Sequence, residues 1–190
     1  MTKELIILAS QSPRRRQLLD WAEVNFEVMV ANTDESYPEG LTPTEVALHI
    51  AREKAIAVKA RLTETRVILA ADTIVVCEAE IIGKPVDRND AIRILQKLSG
   101  KKHQVITAVH IQKGDNENSF ADITEVEFHL LTTEQIEYYI DHYKPYDKAG
   151  AYAIQEWIGV VGIKGIQGDF YNVMGLPVSR VVHALNTFIS

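Results

Sequence analysis

The chain has 190 residues, 46% of them hydrophobic and 7% aromatic, which is enough to bury the core of one ordinary globular domain. Its formal net charge of -6 argues against a general polyanion-binding protein, because duplex nucleic acid favours a broad basic surface. Cys77 is the only cysteine, which excludes an intramolecular disulfide, and no apolar run approaches the roughly 18 residues of a membrane span. We therefore expect a cytoplasmic protein that binds neither nucleic acid nor membranes.

The first strongly patterned segment, residues 5–16, combines a strand, a polar loop and the start of a helix. Leu5–Ala9 is a short apolar run typical of a buried strand, and Ser12 and Pro13 suit the N-cap and first position of a helix that begins with three arginines. Helix N–H groups and guanidinium groups at the carboxyl end of a strand both suit phosphate. The segment predicts either a phosphate site or a solvated basic turn.

An acidic loop follows the second predicted strand, Phe26–Ala31, and contains Asp34 and Glu35. If this loop folds back over the arginines, its carboxylates can hold a divalent cation, since magnesium sites use one or two acidic residues. Otherwise these residues are solvated loop charges.

A long helix is predicted next. Thr42, Pro43 and Glu45 form a capping-box pattern, and the helix should run to about Arg61. Lys54 lies near the middle of this helix. A helical lysine usually faces solvent, so its position alone does not indicate a functional role.

Arg66–Ala71 is the strongest candidate for a central strand, because its apolar run is continuous, as expected where both faces of a sheet are covered. We predict that this strand ends at Asp72 and Thr73. A carboxylate at the exit of a buried strand is costly unless it is hydrogen-bonded, paired or metal-bound, and in α/β proteins that position faces the ligand crevice. Asp72 is therefore a candidate functional residue, or else it caps a turn.

The middle of the chain alternates strands and helices. The predicted elements are a hairpin of Ile74–Cys77 with Ile81-Ile82, an exposed turn at Gly83-Lys84-Pro85, a helix over Asp87–Leu98, strands over 103–113 and 119–130, and a helix from Thr132 or Thr133 to His142. The six histidines show no metal-ligand spacing and are expected to be structural.

The segment KPYDKAGAYAIQ, from Lys144, lacks periodicity and is typical of a binding loop. Asp147 and Lys148 can bind a metal and a phosphate, and the Gln155 amide can pair with donors and acceptors of a base edge. An ordinary surface loop is the alternative.

The C-terminal part is expected to hold a strand and a helix. Ile158–Gly168 is predicted as a glycine-weakened strand with a tight bend, and Asn172–Pro177 leads into a final amphipathic helix.

Taken together, six motifs resemble, in order and spacing, the Maf family of nucleoside triphosphate pyrophosphatases over about residues 5–187. They are SQSPRR at Ser10–Arg15, REKA at Arg52–Ala55, ADT at Ala71–Thr73, GKP at Gly83–Pro85, DKAGAYAIQ at Asp147–Gln155 and NVMGLP at Asn172–Pro177. The resemblance implies an α/β fold, in which an elongated mixed sheet with flanking helices forms two lobes around a central cleft, similar to inosine triphosphate pyrophosphatases. It also implies a single domain over 1–190 and a homodimer.

The resemblance further implies roles for individual residues. Asp72 matches the proposed general base. The positions tied to substrate choice are Arg14, Thr73 and Gln155, and the phosphate-contacting positions are Ser10, Arg15, Lys54 and Lys84. The AIQ ending resembles the subgroup acting on dTTP and UTP rather than the one acting on 7-methylguanosine triphosphate. Gln11 and Ala153 depart from the small residue and the glycine usual at those positions, which leaves the exact substrate open.

The chemistry of the implied reaction completes the set of candidates. Cleavage between the α- and β-phosphates needs a metal to neutralise charge, cations to hold the tail and a base to ready water. We therefore expect Mg²⁺ or Mn²⁺ as cofactor, Glu35, Asp72 and Asp147 as its ligands, and Lys148 as a further phosphate-binding group. The expected function is hydrolysis of dTTP and UTP by attack of water on the α-phosphate. The alternatives are a nucleotide-sensing binding protein that arrests cell division and a structural α/β domain.

Overall fold

The computed structural model describes residues 4–189, so both ends of the predicted domain over 1–190 lie outside the described residues. Its elements are β1 (Ile6–Leu8), α1 (Pro13–Trp21), β2 (Phe26–Val28), α2 (Pro43–Lys59), β3 (Ile68–Cys77), β4 (Glu80–Ile82), α3 (Arg88–Leu98), β5 (Lys102–Lys113), β6 (Asn116–Phe128), α4 (Thr133–Tyr143), a 3₁₀ turn (Ala149–Ala151), α5 (Trp157–Gly162), β7 (Ile163–Gln167), α6 (Phe170–Met174) and α7 (Val178–Leu185). None of the helices among residues 4–189 is long and apolar enough to cross a membrane.

Within the described chain the strands form one mixed sheet of seven, which confirms the predicted α/β fold with a mixed sheet and flanking helices. The strand order is β2-β1-β3-β5-β6-β7, with β4 beside β3. β1 pairs in parallel with β2 and β3, whereas β3 with β4 and β6 with β7 are antiparallel.

The described chain divides into two compact units. The first contains residues 4–72, Thr107–Asp122 and 175–189, and the second contains Thr73–Ile106 and Ile123–Met174. Strands β3, β5 and β6 contribute residues to both units.

The core of the first unit fixes α2 on the sheet. Ala55 and Val58 of α2 are buried with Ile7 of β1 and Ile68 of β3. The helix begins at the predicted capping box, in which the Thr42 hydroxyl accepts from the Glu45 N–H and the Glu45 carboxylate accepts from the Thr42 N–H at 2.8 Å. Lys54, which precedes Ala55, is thereby held at a fixed place on the sheet.

In the second unit, α3 and α4 pair through charges and a buried aromatic cluster lies on the sheet. Arg88 donates two hydrogen bonds to the Asp141 carboxylate, at 2.7 and 2.9 Å. The rings of His103, Phe128 and Tyr152 contact one another with centroids 5.0–5.5 Å apart. Of the two threonines offered as the cap of α4, Thr132 is the N-cap, because its hydroxyl accepts from the Gln135 N–H.

Asp72 does not end its strand, and this prediction was wrong. β3 runs on to Cys77, because the apolar residues after Thr73 continue the strand and pair with β4, Val75 opposite Ile82. Asp72 and Thr73 are half-buried in the middle of an otherwise buried strand. The predicted hairpin is confirmed as β3 and β4.

The prediction of one strand over Ile158–Gly168 was also wrong in its first half, which forms α5. Gly159 lies so close to the preceding turn that a Cβ would be 1.7 Å from the Ile154 carbonyl oxygen, so this glycine permits close packing inside a helical turn. The second half is strand β7, and α6 is an additional short helix.

Candidate active site

The arginine turn after β1 is held by hydrogen bonds that its own serine hydroxyls accept. The Ser12 hydroxyl caps α1 by accepting from the Arg15 N–H at 3.4 Å. The Ser10 hydroxyl accepts from Arg15 Nη1 at 3.0 Å, and Arg15 Nε donates to the Gly175 carbonyl at 2.8 Å. Arg15 is consequently buried and fixed in orientation, so the alternative of a fully solvated basic turn does not apply to it.

Two carboxylates and a second arginine act electrostatically on Arg15. Burial is the largest effect and lowers the pKa of the Arg15 guanidinium. The negative charges of Asp72 and Glu35 raise this pKa, and the positive charge of Arg14 lowers it. Arginine keeps its proton in proteins, so Arg15 remains a buried cation. The first unit therefore brings Arg14, Arg15, Glu35 and Asp72 into one electrostatic neighbourhood.

Lys54 joins the two carboxylates of this neighbourhood. Its Nζ lies 2.7 Å from Asp72 Oδ1 and 2.8 Å from Glu35 Oε1. The Lys54 and Asp72 side chains are only 18% and 13% exposed, so the pair is largely shielded from water. The acidic loop thus contacts Lys54 of α2 through Glu35, whereas Asp34 accepts a hydrogen bond from the Ser36 N–H within the loop.

Glu35 and Asp72 fit a site for Mg²⁺ or Mn²⁺. Their oxygens are the hard donors these cations prefer, and magnesium usually binds through one or two carboxylates with water and substrate phosphates. Among residues 4–189, no group of three or more His, Cys, Asp or Glu side chains is arranged to hold a metal ion. A metal at Glu35 and Asp72 would therefore complete its coordination with water or substrate oxygens.

The other candidates lie in the second unit, around β3 and the 3₁₀ turn. A Cβ on Gly150 would lie 2.9 Å from Val75 Cγ2, and its φ of +71° also favours glycine. Side chains alternate along a strand, so Thr73 and Val75 share one face of β3. The Gly150 N–H donates to the Gly83 carbonyl at 3.1 Å, which places the turn that carries Lys84 beside the 3₁₀ turn.

Lys148 is buried between two carboxylates in this unit. Its Nζ lies 2.7 Å from Asp147 Oδ1 and 3.6 Å from Glu156 Oε1. Glu156 also accepts a hydrogen bond from the Tyr139 hydroxyl, which in turn accepts from the Ala153 N–H at 3.1 Å. Sequence reasoning missed Glu156 and Tyr139, because nothing in either segment marks a contact between α4 and a loop 17 residues away.

The loop from Asp147 to Gln155 is not an ordinary surface loop. Residues 150–154 are buried, whereas Asp147 and Gln155 at the two ends of the loop are exposed. Tyr152 contacts His103 through a 2.8 Å hydrogen bond between its hydroxyl and Nε2. Burial lowers the pKa of His103 to about 4, so this histidine is neutral near pH 7.

Comparisons with known proteins agree with the pattern of motifs. The family model described as "Maf-like protein" matches residues 5–188. A protein of Cytophaga hutchinsonii named dTTP/UTP pyrophosphatase is 53% identical over 180 residues, covering 95% of this chain and 82% of its own length. A protein of the same name from Bacteroides fragilis is 47% identical over 181 residues, covering 95% of this chain and 94% of its own.

A solved structure supports the fold. The structure of a HAM1 protein from Coxiella burnetii aligns with a TM-score of 0.53 at 14% identity, covering 97% of this chain and 99% of its own. At this identity the likeness concerns the fold alone.

Proposed function

Because this chain belongs to the Maf-like family, we propose that it hydrolyses nucleoside triphosphates, dTTP and UTP in particular, to the nucleoside monophosphate and diphosphate. The names of its relatives support this proposal. The observation that carries it in this chain is the cluster in which Lys54 contacts Asp72 and Glu35 while Asp72 and Glu35 act on the buried Arg15.

The cations of the candidate site suit the phosphate tail. Arg15 supplies a positive charge of fixed orientation, which attracts phosphate oxygens, and Arg14 adds a second positive charge beside it. We assign these two residues, with Ser10 and Lys54, to the triphosphate. Lys84 and Lys148 have the same proposed role in the second unit.

Asp72 is the proposed general base. In the reaction it accepts a proton from water as the water oxygen bonds to the α-phosphorus; the bond from that phosphorus to the bridging oxygen breaks, and diphosphate leaves with the bond's electrons. Before nucleotide binds, the Lys54 ammonium holds the Asp72 carboxylate in place through its 2.7 Å contact. A divalent cation at Glu35 and Asp72 would neutralise phosphate charge as a Lewis acid. The metal-ligand role expected of Asp147, in the second unit, stays a prediction.

Substrate choice is assigned to Thr73 and Gln155 as well as Arg14. The amide of Gln155 has both a donor and an acceptor, as recognition of a thymine or uracil edge requires. Its exposure at the end of a buried loop leaves that amide accessible to a base.

The experiment that tests the proposal is a panel of dTTP, UTP, CTP, ATP, GTP and 7-methylguanosine triphosphate with Mg²⁺ or with Mn²⁺, with products separated by anion exchange. We expect equal amounts of monophosphate and diphosphate from dTTP and UTP, and loss of turnover with chelator. Tight nucleotide binding without turnover would contradict the proposal and favour the nucleotide-sensing alternative.

A homodimer in the cytoplasm is the expected state, and light scattering on the purified protein measures the oligomer.

A further inference from the structure

Lys54 touches both of the carboxylates that are proposed to bind the metal. The same ammonium lies within 2.8 Å of Glu35 and of Asp72, at the end of the side chain of a single helical residue. A divalent cation is attracted by the same negative charges and is repelled by the ammonium at short range. The metal and the ammonium therefore compete for one pair of carboxylates.

Moving the Lys54 ammonium away from Glu35 and Asp72 costs free energy. Its side chain is 18% exposed, and the adjacent Ala55 is completely buried in the core between α2 and the sheet. An ammonium separated from its carboxylates in such a place loses its countercharge without regaining full hydration. A metal ion that arrives alone must displace this cation.

A polyphosphate changes that balance, because it offers the ammonium another set of anionic oxygens. We infer that Lys54 is an exchangeable counter-ion that hinders metal binding at Glu35 and Asp72 until a nucleotide triphosphate accepts its ammonium. This inference rests on the proposed function, since it uses the proposed metal site. Metal and nucleotide then bind cooperatively, and each raises the affinity for the other by the same factor.

Titration with Mn²⁺ followed by electron paramagnetic resonance, without nucleotide, tests the exchange directly. Removal of the ammonium in Lys54→Met should tighten Mn²⁺ binding by about tenfold, within the range of roughly 5- to 150-fold usual for coupled sites. Lys54→Arg keeps the positive charge and should bind Mn²⁺ like the unmodified protein. Lys59→Met is the matched control, because Lys59 lies on the same helix, pairs with Asp115 and the Gly114 carbonyl, and its loss changes the net charge equally. It should leave Mn²⁺ affinity unchanged.

A second substitution shows where the gained affinity resides. Glu35→Gln introduced into Lys54→Met should abolish the gain, because it removes one of the two carboxylates released by the lysine. Mn²⁺ binding to Lys54→Met that is no tighter than to the unmodified protein overturns the inference, and a gain that survives Glu35→Gln overturns it as well. Lys54→Gln replaces Lys54→Met in the same titration if circular dichroism shows that the methionine variant is unfolded.

The readout separates this inference from the proposed function. Mn²⁺ affinity without nucleotide reports the exchange alone, whereas diphosphate release from dTTP reports the reaction. If Lys54→Met binds Mn²⁺ more tightly but the unmodified protein releases no diphosphate from dTTP, the exchange is supported and the proposed function is removed. Active protein without the gain in Mn²⁺ affinity supports the function and removes the exchange.

Discussion

A single ion pair fixes the residue on which the proposed chemistry depends. Asp72 is 13% exposed and contacts Lys54, so its carboxylate has a defined direction before substrate binds. Asp72→Asn keeps the size of the side chain and removes the base, so we expect kcat to fall by about 10²- to 10⁴-fold while the fold persists. Steady-state kinetics with dTTP measures this effect. Asp115→Asn, at a fully exposed aspartate, is the control, and near-normal turnover of Asp72→Asn would show that Asp72 is not the base.

Gln155 is the exposed residue at the end of a buried loop, and its proposed role concerns the base rather than the phosphates. Gln155→Ala should change the ratios of kcat/KM among dTTP, UTP, CTP and ATP more than it changes affinity for inorganic tripolyphosphate. Kinetics with each nucleotide and a competition assay with tripolyphosphate give the two quantities. Gln167→Ala, which removes another exposed amide of the same unit, should leave the ratios unchanged. Constant ratios in Gln155→Ala exclude the assignment.

His103 makes the stability of the protein depend on pH. Burial lowers its pKa to about 4 from an ordinary 6.5, so between these values the unfolded chain binds a proton that the folded chain does not. The free energy of unfolding should therefore decrease as the pH falls from 6.5 to 4, by up to about 3 kcal/mol from this residue. Urea titrations at several pH values measure the slope. His103→Gln should flatten it, and an equal slope in both proteins would contradict this attribution.

At the scale of elements, the Tyr139 hydroxyl ties α4 to the loop that carries Gln155. It donates to Glu156 and accepts from the Ala153 N–H at 3.1 Å, and the Tyr139 side chain is fully buried. Tyr139→Phe leaves a buried N–H unpaired, so we expect a loss of about 1–3 kcal/mol in the free energy of unfolding. Urea denaturation measures it, with Tyr143→Phe on the same helix as the control because that residue is 38% exposed. Equal effects of the two substitutions would show that the hydroxyl bridge contributes nothing.

Local signals predicted most elements well. Ser12 and Thr42 are N-caps as predicted, and Thr132 is one of the two residues predicted for the third cap, because an N-cap depends on a few neighbouring residues. The wrong predictions concern segments whose secondary structure depends on contacts with other parts of the chain. The course of β3 past Asp72 depends on pairing with β4, and α5 depends on close packing of Gly159 against Ile154.

In the candidate site, too, some residues were predictable from the sequence and others were not. Residue type and motif order predicted Asp72, Lys54, Arg15 and Glu35, and the structure brings these four together. The burial of Lys148 and its partner Glu156 did not follow from the sequence, since a charged residue in a polar segment normally predicts exposure. The roles of Asp147 and Lys148 as metal and phosphate ligands stay predictions.

At the scale of the whole molecule, the chain is acidic, with a net charge of -6. Its candidate phosphate-binding residues are a few cationic side chains at defined positions rather than a broad basic surface. This distribution suits a small anion bound at a defined site better than a long polyanion. We therefore expect the substrate to be a nucleoside triphosphate whose innermost phosphorus is attacked by water.

Hydrolysis of dTTP in water enriched with oxygen-18, followed by mass spectrometry of both products, tests that claim most directly. Attack on the α-phosphorus places the heavy oxygen in dTMP and leaves the released diphosphate unlabelled. Heavy oxygen in the diphosphate, or release of orthophosphate in place of diphosphate, would contradict the proposed reaction.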